Sequence, residues 1–285
     1  MRSMRRLRRA LLVVLLSVGC VLIWVTPALA VQWGQSDGTN HPYVCLVVFY
    51  DQAGNRLWRT TGALISPTVV LTAAHGTEGT ASAKVWFLPE ILPNAPPDAD
   101  PPGYPYGGPD SYAGKPHTNP QYRWMEDQGE PGLDIIDYHD VGVVVLDDPP
   151  PVTQFAQLPT KGFVDTLPRL QPVDIVGYGV NYQVHGGGVG PYDSWAWSRQ
   201  RQYAPSQLIR TKSVTSGEFL QLTANPAMGK GGTTFGDSGG PILKAGTNIV
   251  LGLNSYVMSS NCRGVTFAQR VDIEDILGWV NSFVE

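Results

Sequence analysis

Residues 229 to 241 read GKGGTTFGDSGGP, and they place a serine, Ser238, directly after an acid, Asp237, among five glycines that follow Lys230. A serine hydroxyl is a poor nucleophile at neutral pH unless a base removes its proton, and that base needs a third group to hold its tautomer. If Ser238 is a nucleophile, it therefore needs a histidine and a carboxylate from elsewhere in the chain. All five histidines precede Ser238, and they are His41, His75, His117, His139 and His185.

The order of these residues separates the known classes of serine hydrolase. Gly236, Ser238 and Gly240 satisfy the G-x-S-x-G pattern of α/β-hydrolase esterases, in which the histidine follows the serine. No histidine follows Ser238 here, which excludes that class. A subtilisin-like protease, in which an acid precedes the histidine and the histidine precedes the serine, is not excluded by the order of residues alone. That class requires a parallel α/β sheet, however, and the sequence lacks the alternating strands and helices of such a sheet.

Short apolar or alternating segments recur along the chain, rich in Val, Ile, Thr and aromatic residues, with Gly, Pro and Asn between them. Such segments are typical of β-strands joined by turns. The sequence therefore predicts an all-β chain of barrel or sandwich type. The segments are 42–50, 62–65, 68–74, 84–88, 141–146, 173–179, 207–214, 219–224, 249–257 and 265–271.

Two other stretches depart from this pattern. A C-terminal helix is predicted over 272–284, with Asp272 as its N-cap and one apolar face at helical spacing. From Pro89 to Pro120, ten of 32 residues are proline and four are glycine, which predicts a loop without regular structure. The apolar face of the helix consists of Ile273, Ile276, Leu277, Val280 and Phe283.

Residues 1–30 are typical of a secretory signal peptide. The basic leader MRSMRRLRR is followed by an apolar run from Ala10 to Val25 and by a small-x-small cleavage signature at Ala28 and Ala30, so we expect the mature chain to begin at Val31. An uncleaved membrane anchor is the alternative, but the run is shorter than the ~20 residues needed to span a bilayer. Cleavage leaves 15 lysines and arginines against 24 acidic residues, and this negative balance disfavours a nucleic-acid partner.

Two residues have local sequences that suit a partner of Ser238. His75 ends the apolar segment TVVLTAAH, where the small neighbouring residues leave space for a substrate. Asp140 opens the segment DVGVVVL, which places a carboxylate directly before a buried strand, where it could accept a hydrogen bond from the imidazole Nδ1. Taken alone, His75 could be a histidine packed at the end of a strand, and Asp140 could be an acid that caps a strand. Only their combination with Ser238 indicates a catalytic role.

The motifs TAAH, DVGVVVL and GDSGGP, in that order, resemble the chymotrypsin-like (trypsin-like) serine protease family. The resemblance extends over about 42–285. It implies a secreted endopeptidase made of two antiparallel six-stranded β-barrels, with the active site between them and a C-terminal α-helix. The first barrel is expected within 31–150, with an insertion at 89–120, and the second within 151–285.

The resemblance also implies a role for each matching residue. Ser238 would attack the scissile carbonyl, His75 would transfer the proton, and Asp140 would orient the imidazole. The backbone N–H groups of Gly236 and Ser238 would form the oxyanion hole, and a new amino terminus at Val31 would pair with Asp237. The residues expected to bind substrate are Gly232, Thr233, Ser255, Tyr256 and Val257.

The chain departs from the family at its usual disulfides. Gly76 and Thr60 stand where one bridge is expected, and Thr234 stands at the first position of another. Only Cys45 and Cys262 remain after cleavage, and whether they are bonded stays open. Their spacing does not match a structural zinc site.

The specificity pocket lacks the acid that selects Lys or Arg. Gly232, six residues before Ser238, is uncharged, and so are Thr233, Thr234 and Gly264, while Asn254 stands where a glutamate-selecting relative would carry histidine. Val257 replaces a glycine that normally keeps the pocket mouth open. We therefore expect cleavage after small or medium apolar residues.

The rival hypothesis is a secreted, catalytically silent binding protein on the same fold. The presence of all three triad residue types favours the enzyme. We expect a monomer that acts on proteins or peptides, with no cofactor, no metal, no nucleic acid and no membrane contact after signal cleavage. A calcium site is a weaker alternative, built from the acidic residues Glu126, Asp127, Glu130, Asp134 and Asp137.

Overall fold

The computed structural model describes residues 31, 33–91, 110–123, 138–183, 195–197, 199–213, 216–258 and 262–284. The expected signal peptide at 1–30 therefore lies outside the described residues. So do most of the Pro-rich stretch and the acidic residues between 126 and 137. Within the described residues, no helix is both long enough and apolar enough to cross a membrane.

The first half of the chain forms a closed six-stranded antiparallel barrel. A short strand, β1 (Gln35–Ser36), precedes the barrel strands, which are β2 (Val44–Tyr50), β3 (Arg56–Leu64), β4 (Val69–Thr72), β5 (Ser82–Trp86), β6 (Tyr112–Thr118) and β7 (Gly142–Leu146). Their order around the barrel is β2-β3-β4-β7-β6-β5. The first six of the seven residues of β2 are buried, so both faces of this strand are covered. A four-residue helical turn, α1 (Ala74–Thr77), follows β4 and carries His75.

The second half forms another closed antiparallel barrel of six strands. Its strands are β8 (Pro172–Gly177), β11 (Gln202–Arg210), β12 (Phe219–Ala224), β13 (Pro241–Lys244), β14 (Val250–Val257) and β15 (Gly264–Arg270), and the short strands β9 (Val180–Gln183) and β10 (Trp195–Trp197) pair beside them. The order is β11-β12-β15-β14-β13-β8, and the pairing of β8 with β11 closes the barrel. Turns of 3-10 helix occur at Phe163–Thr166 and Pro226–Met228.

The segment that precedes β2 joins the second barrel, although the sequence places it with the first. Strand β1 pairs with β11, and the Val31 side chain is buried among apolar residues of the second barrel such as Val164 and Val173. The predicted all-β fold of two six-stranded barrels is confirmed.

The prediction of no regular structure within 89–120 is wrong for its last part, where β6 occupies Tyr112–Thr118. Pro116 lies opposite Val144 of β7, but the pairing of β6 with β5 ends at Gly114. On that side Pro116 has no neighbouring strand, so its missing N–H removes no ladder bond there. The high proline content of 89–120 therefore led to a wrong prediction for β6.

The C-terminal helix is confirmed but shorter than predicted, since α2 covers Glu274–Asn281. Asp272 does not cap it, because its carboxylate accepts hydrogen bonds from the Arg270 guanidinium at 2.8 Å and from the Val164 N–H at 2.8 Å. The predicted apolar face does pack on the protein, and Ile276 and Val280 are fully buried in the core cluster of the first barrel.

A buried arginine, Arg201, links the two barrels to the N-terminal segment. Its guanidinium donates to the Asp37 carboxylate at 2.8 Å, and both side chains are almost completely buried. It also donates to the carbonyl oxygens of Gly38 at 2.8 Å, and of Val44 and Phe87 at 3.0 Å each. One cation thus satisfies groups from three segments of the chain.

Candidate active site

His75 and Asp140 form a two-point contact. The Asp140 Oδ2 lies 2.9 Å from the His75 Nδ1, and its Oδ1 accepts the His75 backbone N–H, also at 2.9 Å. Asp140 is fully buried, whereas about a quarter of the His75 side chain is exposed. The two hydrogen bonds fix both the place and the plane of the imidazole, and they direct its Nε2 away from the carboxylate.

Two further groups hold Asp140. The Ser255 hydroxyl donates to Asp140 Oδ2 at 2.6 Å, and the Gln269 Oε1 accepts the Asp140 backbone N–H at 3.1 Å. Burial opposes ionisation of Asp140, but the charge and hydrogen bonds of His75 and the hydroxyl of Ser255 outweigh it and lower the pKa of the carboxyl. The residue is therefore held as a carboxylate that can stabilise an imidazolium.

Ser238 lies where the two barrels meet. Its carbonyl oxygen accepts the backbone N–H of Thr61 in β3 at 2.9 Å, and the next residue, Gly239, donates to the carbonyl of Asn254 in β14 at 2.8 Å. Gly239 has a φ of 74°, and an added Cβ would come within 2.5 Å of the Ala73 nitrogen, two residues before His75. Only glycine allows this close approach. The approach brings the turn that contains Ser238 against the end of β4, the strand that precedes His75.

The peptides that carry the backbone N–H groups of Gly236 and Ser238 are each held on their carbonyl side, while their expected role as an oxyanion hole stays a prediction. The carbonyl of Phe235 accepts the N–H of Val180, and the carbonyl of Asp237 accepts the N–H of Gly240, each at 2.8 Å. Because C=O and N–H point in opposite directions across a trans peptide, both amides face away from these bonds. Within the described part of the chain, neither amide has an acceptor of its own.

Asp237 lies in a buried polar site behind this turn. Its Oδ1 accepts the N–H of Gly179 at 2.8 Å, and its Oδ2 accepts the N–H and the hydroxyl of Thr234 at 2.9 and 2.8 Å. Burial raises the pKa of Asp237 to about 6, against the opposing effect of these bonds and of Arg59. Val31 is not among its partners; the nitrogen of Val31 is a peptide nitrogen in the full chain, so their expected ion pair stays a prediction for the cleaved protein.

The residues expected to form one part of the substrate pocket lie just before this turn and include polar side chains. Gly232 is buried, and an added Cβ there would come within 2.4 Å of the Ala224 side chain. The Thr233 hydroxyl donates to the Asn254 Oδ1 at 2.6 Å, and the Thr233 N–H donates to Thr266. The Asn254 Nδ2 is buried with no partner among the described residues. These residues are therefore uncharged, but they are not wholly apolar.

The other residues expected to bind substrate lie on β14. Val257 packs in a small apolar cluster with Val180 and Cys262. The Tyr256 ring stacks on Phe267 with centroids 4.5 Å apart and an angle of 4°. The Ser255 hydroxyl is bonded to Asp140, while substrate contact at Ser255, Tyr256 and Val257 stays a prediction.

The positions of the missing disulfide are adjacent, as the resemblance implies. An added Cβ at Gly76 would come within 2.7 Å of the Thr60 methyl group, so the two sites face each other. The Trp58 indole instead donates to the Gly76 carbonyl at 2.7 Å, which ties the His75 turn to β3 without a covalent bond. Cys45 and Cys262 are both buried and free, in separate apolar clusters.

Sequence reasoning missed Thr61, Gln269 and Trp58, although all three contact the residues of this site. They lie in ordinary strands with no motif of their own, and their roles depend on pairing across the fold. The described residues include no group of three or more His, Cys, Asp or Glu side chains that could hold a metal ion. The acidic residues proposed for calcium lie outside the described residues.

The chain is similar in sequence to known proteins of one family. The model of the Trypsin family matches residues 106–280. Two proteins of Drosophila melanogaster, Serine protease 1 and Serine protease 2, are each 25% identical over 249 residues, which are 84% of this chain and 79% of theirs.

Solved structures with the same fold include two proteins that are named for different properties. The HL collagenase structure has a TM-score of 0.61 at 18% identity and covers 87% of this chain and 96% of its own. Human heparin binding protein has a TM-score of 0.57 at 16% identity, with coverage of 87% and 94%. At these identities the likeness concerns the fold alone.

Proposed function

This chain belongs to the trypsin family, whose model matches more than half of its length, and we propose that it is a secreted serine endopeptidase that cleaves peptide bonds through an acyl-enzyme. Ser238 attacks the scissile carbonyl while His75 Nε2 takes the hydroxyl proton. The oxyanion that forms is bound by the N–H groups of Gly236 and Ser238.

His75 then returns the proton to the leaving amine, which breaks the peptide bond and leaves the acyl group on Ser238. Water completes the cycle by the same route: His75 removes its proton, the hydroxide attacks the ester, and the Ser238 hydroxyl is restored. Asp140 stabilises the imidazolium in both halves without taking the proton.

The observation that carries this proposal is the set of hydrogen bonds around Asp140. A buried carboxylate that contacts both the ring and the backbone of His75, and that is itself held by Ser255, fixes the imidazole tautomer. A binding protein needs no such arrangement. The heparin-binding relative shares only the fold at 16% identity, so the silent binding protein remains the alternative without an observation that favours it.

The direct test is digestion of an unfolded protein substrate. The purified secreted protein should cleave the substrate into peptides identifiable by mass spectrometry, while the Ser238→Ala protein prepared in parallel should leave it intact. An intact substrate after incubation with folded wild-type protein would favour the binding alternative.

The expected preference for small or medium apolar P1 residues rests on the uncharged Gly232 and on Val257 near the pocket mouth. Because one methylene contributes only about 1 to 3 kcal/mol of discrimination, we expect differences in kcat/KM of roughly 10- to 200-fold among aliphatic residues. A peptide library that varies P1 measures this. Efficient cleavage after Lys or Arg contradicts the expectation, and cleavage after Gln or Glu would indicate that the Asn254 amide binds the P1 side chain.

Signal cleavage is proposed to create the activating amino terminus. Asp237 is buried and its pKa is raised to about 6, so a Val31 ammonium beside it would stabilise the carboxylate and the turn that it belongs to. N-terminal sequencing of protein from the culture medium should give Val31. A protein carrying one extra residue before Val31 should be at least about tenfold less active, within the range expected for an impaired oxyanion hole. Full activity with a different amino terminus contradicts this step.

A further inference from the structure

Thr61 of β3 makes three hydrogen bonds across the boundary between the barrels, and it is fully buried. Its hydroxyl donates to the Gly236 carbonyl at 2.9 Å and accepts the N–H of Tyr178 at 3.0 Å. Its backbone N–H donates to the Ser238 carbonyl at 2.9 Å. Since the Tyr178 amide can only donate, the single hydroxyl proton is left for Gly236.

The Gly236–Asp237 peptide is the middle one of the turn that carries the two oxyanion donors. The peptide before it is oriented by the bond from Val180 to the Phe235 carbonyl, and the peptide after it by the bond from Gly240 to the Asp237 carbonyl. The middle peptide is held on its carbonyl side by the Thr61 hydroxyl at 2.9 Å, and on its other side its own N–H, that of Asp237, donates to the Thr234 carbonyl at 3.1 Å.

The Thr61 bond adds to the bond of the Asp237 N–H, and it matters because the glycine at position 236 has few steric limits on rotation. Gly236 has a φ of 90°, and glycine tolerates the alternative conformations that follow a peptide flip. A flip would turn the Gly236 carbonyl, an acceptor, away from Thr61. An acceptor near the two N–H groups would repel the developing oxyanion, whose stabilisation depends on donors alone.

We propose that Thr61 is a positioning residue for the oxyanion hole: its hydroxyl holds the Gly236 carbonyl out of the hole and so keeps both N–H donors available. The inference rests on the proposed function, because it assigns the hole a reaction to stabilise. It goes further because Thr61, a residue that keeps the hole in shape, lies on the first barrel. The hole is therefore complete only when the two barrels are packed together.

Thr61→Val tests this, because valine keeps the shape of the side chain and removes the hydroxyl, while Thr61→Ser keeps the hydroxyl. We expect kcat for Thr61→Val to fall about 10- to 100-fold with KM nearly unchanged, less than the roughly 100- to 1,000-fold loss on removing an oxyanion donor itself. The inhibition constant of a peptide boronic acid, which forms a tetrahedral adduct, should rise by the same factor. Thr61→Ser should restore most of both.

Ser206→Ala is the matched control for the loss of a buried hydroxyl. Ser206 is buried in β11, and its hydroxyl donates to the Thr223 carbonyl at 2.6 Å. Ser206→Ala should lower the free energy of unfolding by an amount similar to that of Thr61→Val, because both remove a buried hydroxyl donor, but it should change neither kcat nor boronic acid binding.

Crystal structures of both Thr61 variants provide a readout that needs no activity. The Gly236–Asp237 peptide should be flipped or present in two conformers in Thr61→Val and unchanged in Thr61→Ser. An unchanged peptide together with unchanged kcat in Thr61→Val overturns the proposal. If the wild type proves inactive but the peptide still flips, the positioning role stands and the proposed function fails.

Discussion

Replacing Ser238 with alanine is expected to lower kcat by about a million-fold, because the variant has no nucleophile to form the acyl-enzyme. His75→Ala should cause a loss of similar size, since the serine hydroxyl then keeps its proton. The double variant should be no slower than either single variant, because the two groups act as one unit. Hydrolysis of a chromogenic peptide by equal amounts of the folded proteins measures these losses.

Asp140→Asn provides the matched comparison within the same site. Asparagine keeps the size of the side chain but cannot stabilise the imidazolium, so kcat should fall about 10,000-fold. Losses that multiply in the Ser238 and His75 double variant would contradict a shared mechanism. So would a Ser238→Ala protein that retains a substantial fraction of wild-type activity.

Replacing Arg201 with alanine is expected to have the largest effect on stability, a loss of about 3 to 5 kcal/mol in the free energy of unfolding. The change removes the guanidinium partner of the buried Asp37 carboxylate and removes one donor from each of the carbonyls of Gly38, Val44 and Phe87. Chemical denaturation of the mature protein measures the loss.

Lys212→Ala is the control for the Arg201 variant, because it also removes a cation that faces a carboxylate. Lys212 lies 3.3 Å from Asp165, but both side chains are about half exposed, so its removal should cost at most about 1 kcal/mol. Equal losses for the two variants would contradict the role assigned to Arg201 as the link between the barrels.

The parts of the fold that could be predicted are those that leave a local pattern. Strand periodicity predicted most of the barrel strands, and the order of His75, Asp140 and Ser238 along the chain was enough to exclude the esterase class. Strand β6 was missed because its proline is tolerated only where the pairing with β5 has ended, a fact about the register and not about the segment itself. The prediction of Asp272 as the N-cap of the C-terminal helix was wrong because its carboxylate already accepts hydrogen bonds from Arg270 and Val164.

The parts that could not be predicted depend on contacts between distant residues. Arg201 pairs with Asp37, 164 positions earlier in the chain, and Thr61 bonds to Gly236, 175 positions later. Neither residue lies in a motif, and a threonine in a strand has no feature that marks it as a partner of the catalytic turn. The sequence alone indicates that Gly232 and its neighbours are uncharged. The hydrogen bond between Thr233 and Asn254 depends on the fold and could not be predicted from the sequence.

The central claim, that Ser238 is an activated nucleophile, is tested most directly by labelling with a serine-directed phosphonate. Wild-type protein should bind one phosphonate, located by peptide mapping on Ser238, while Ser238→Ala and His75→Ala should bind essentially none. Failure of the folded wild-type protein to react, or equal labelling of the Ser238→Ala protein, would contradict the claim.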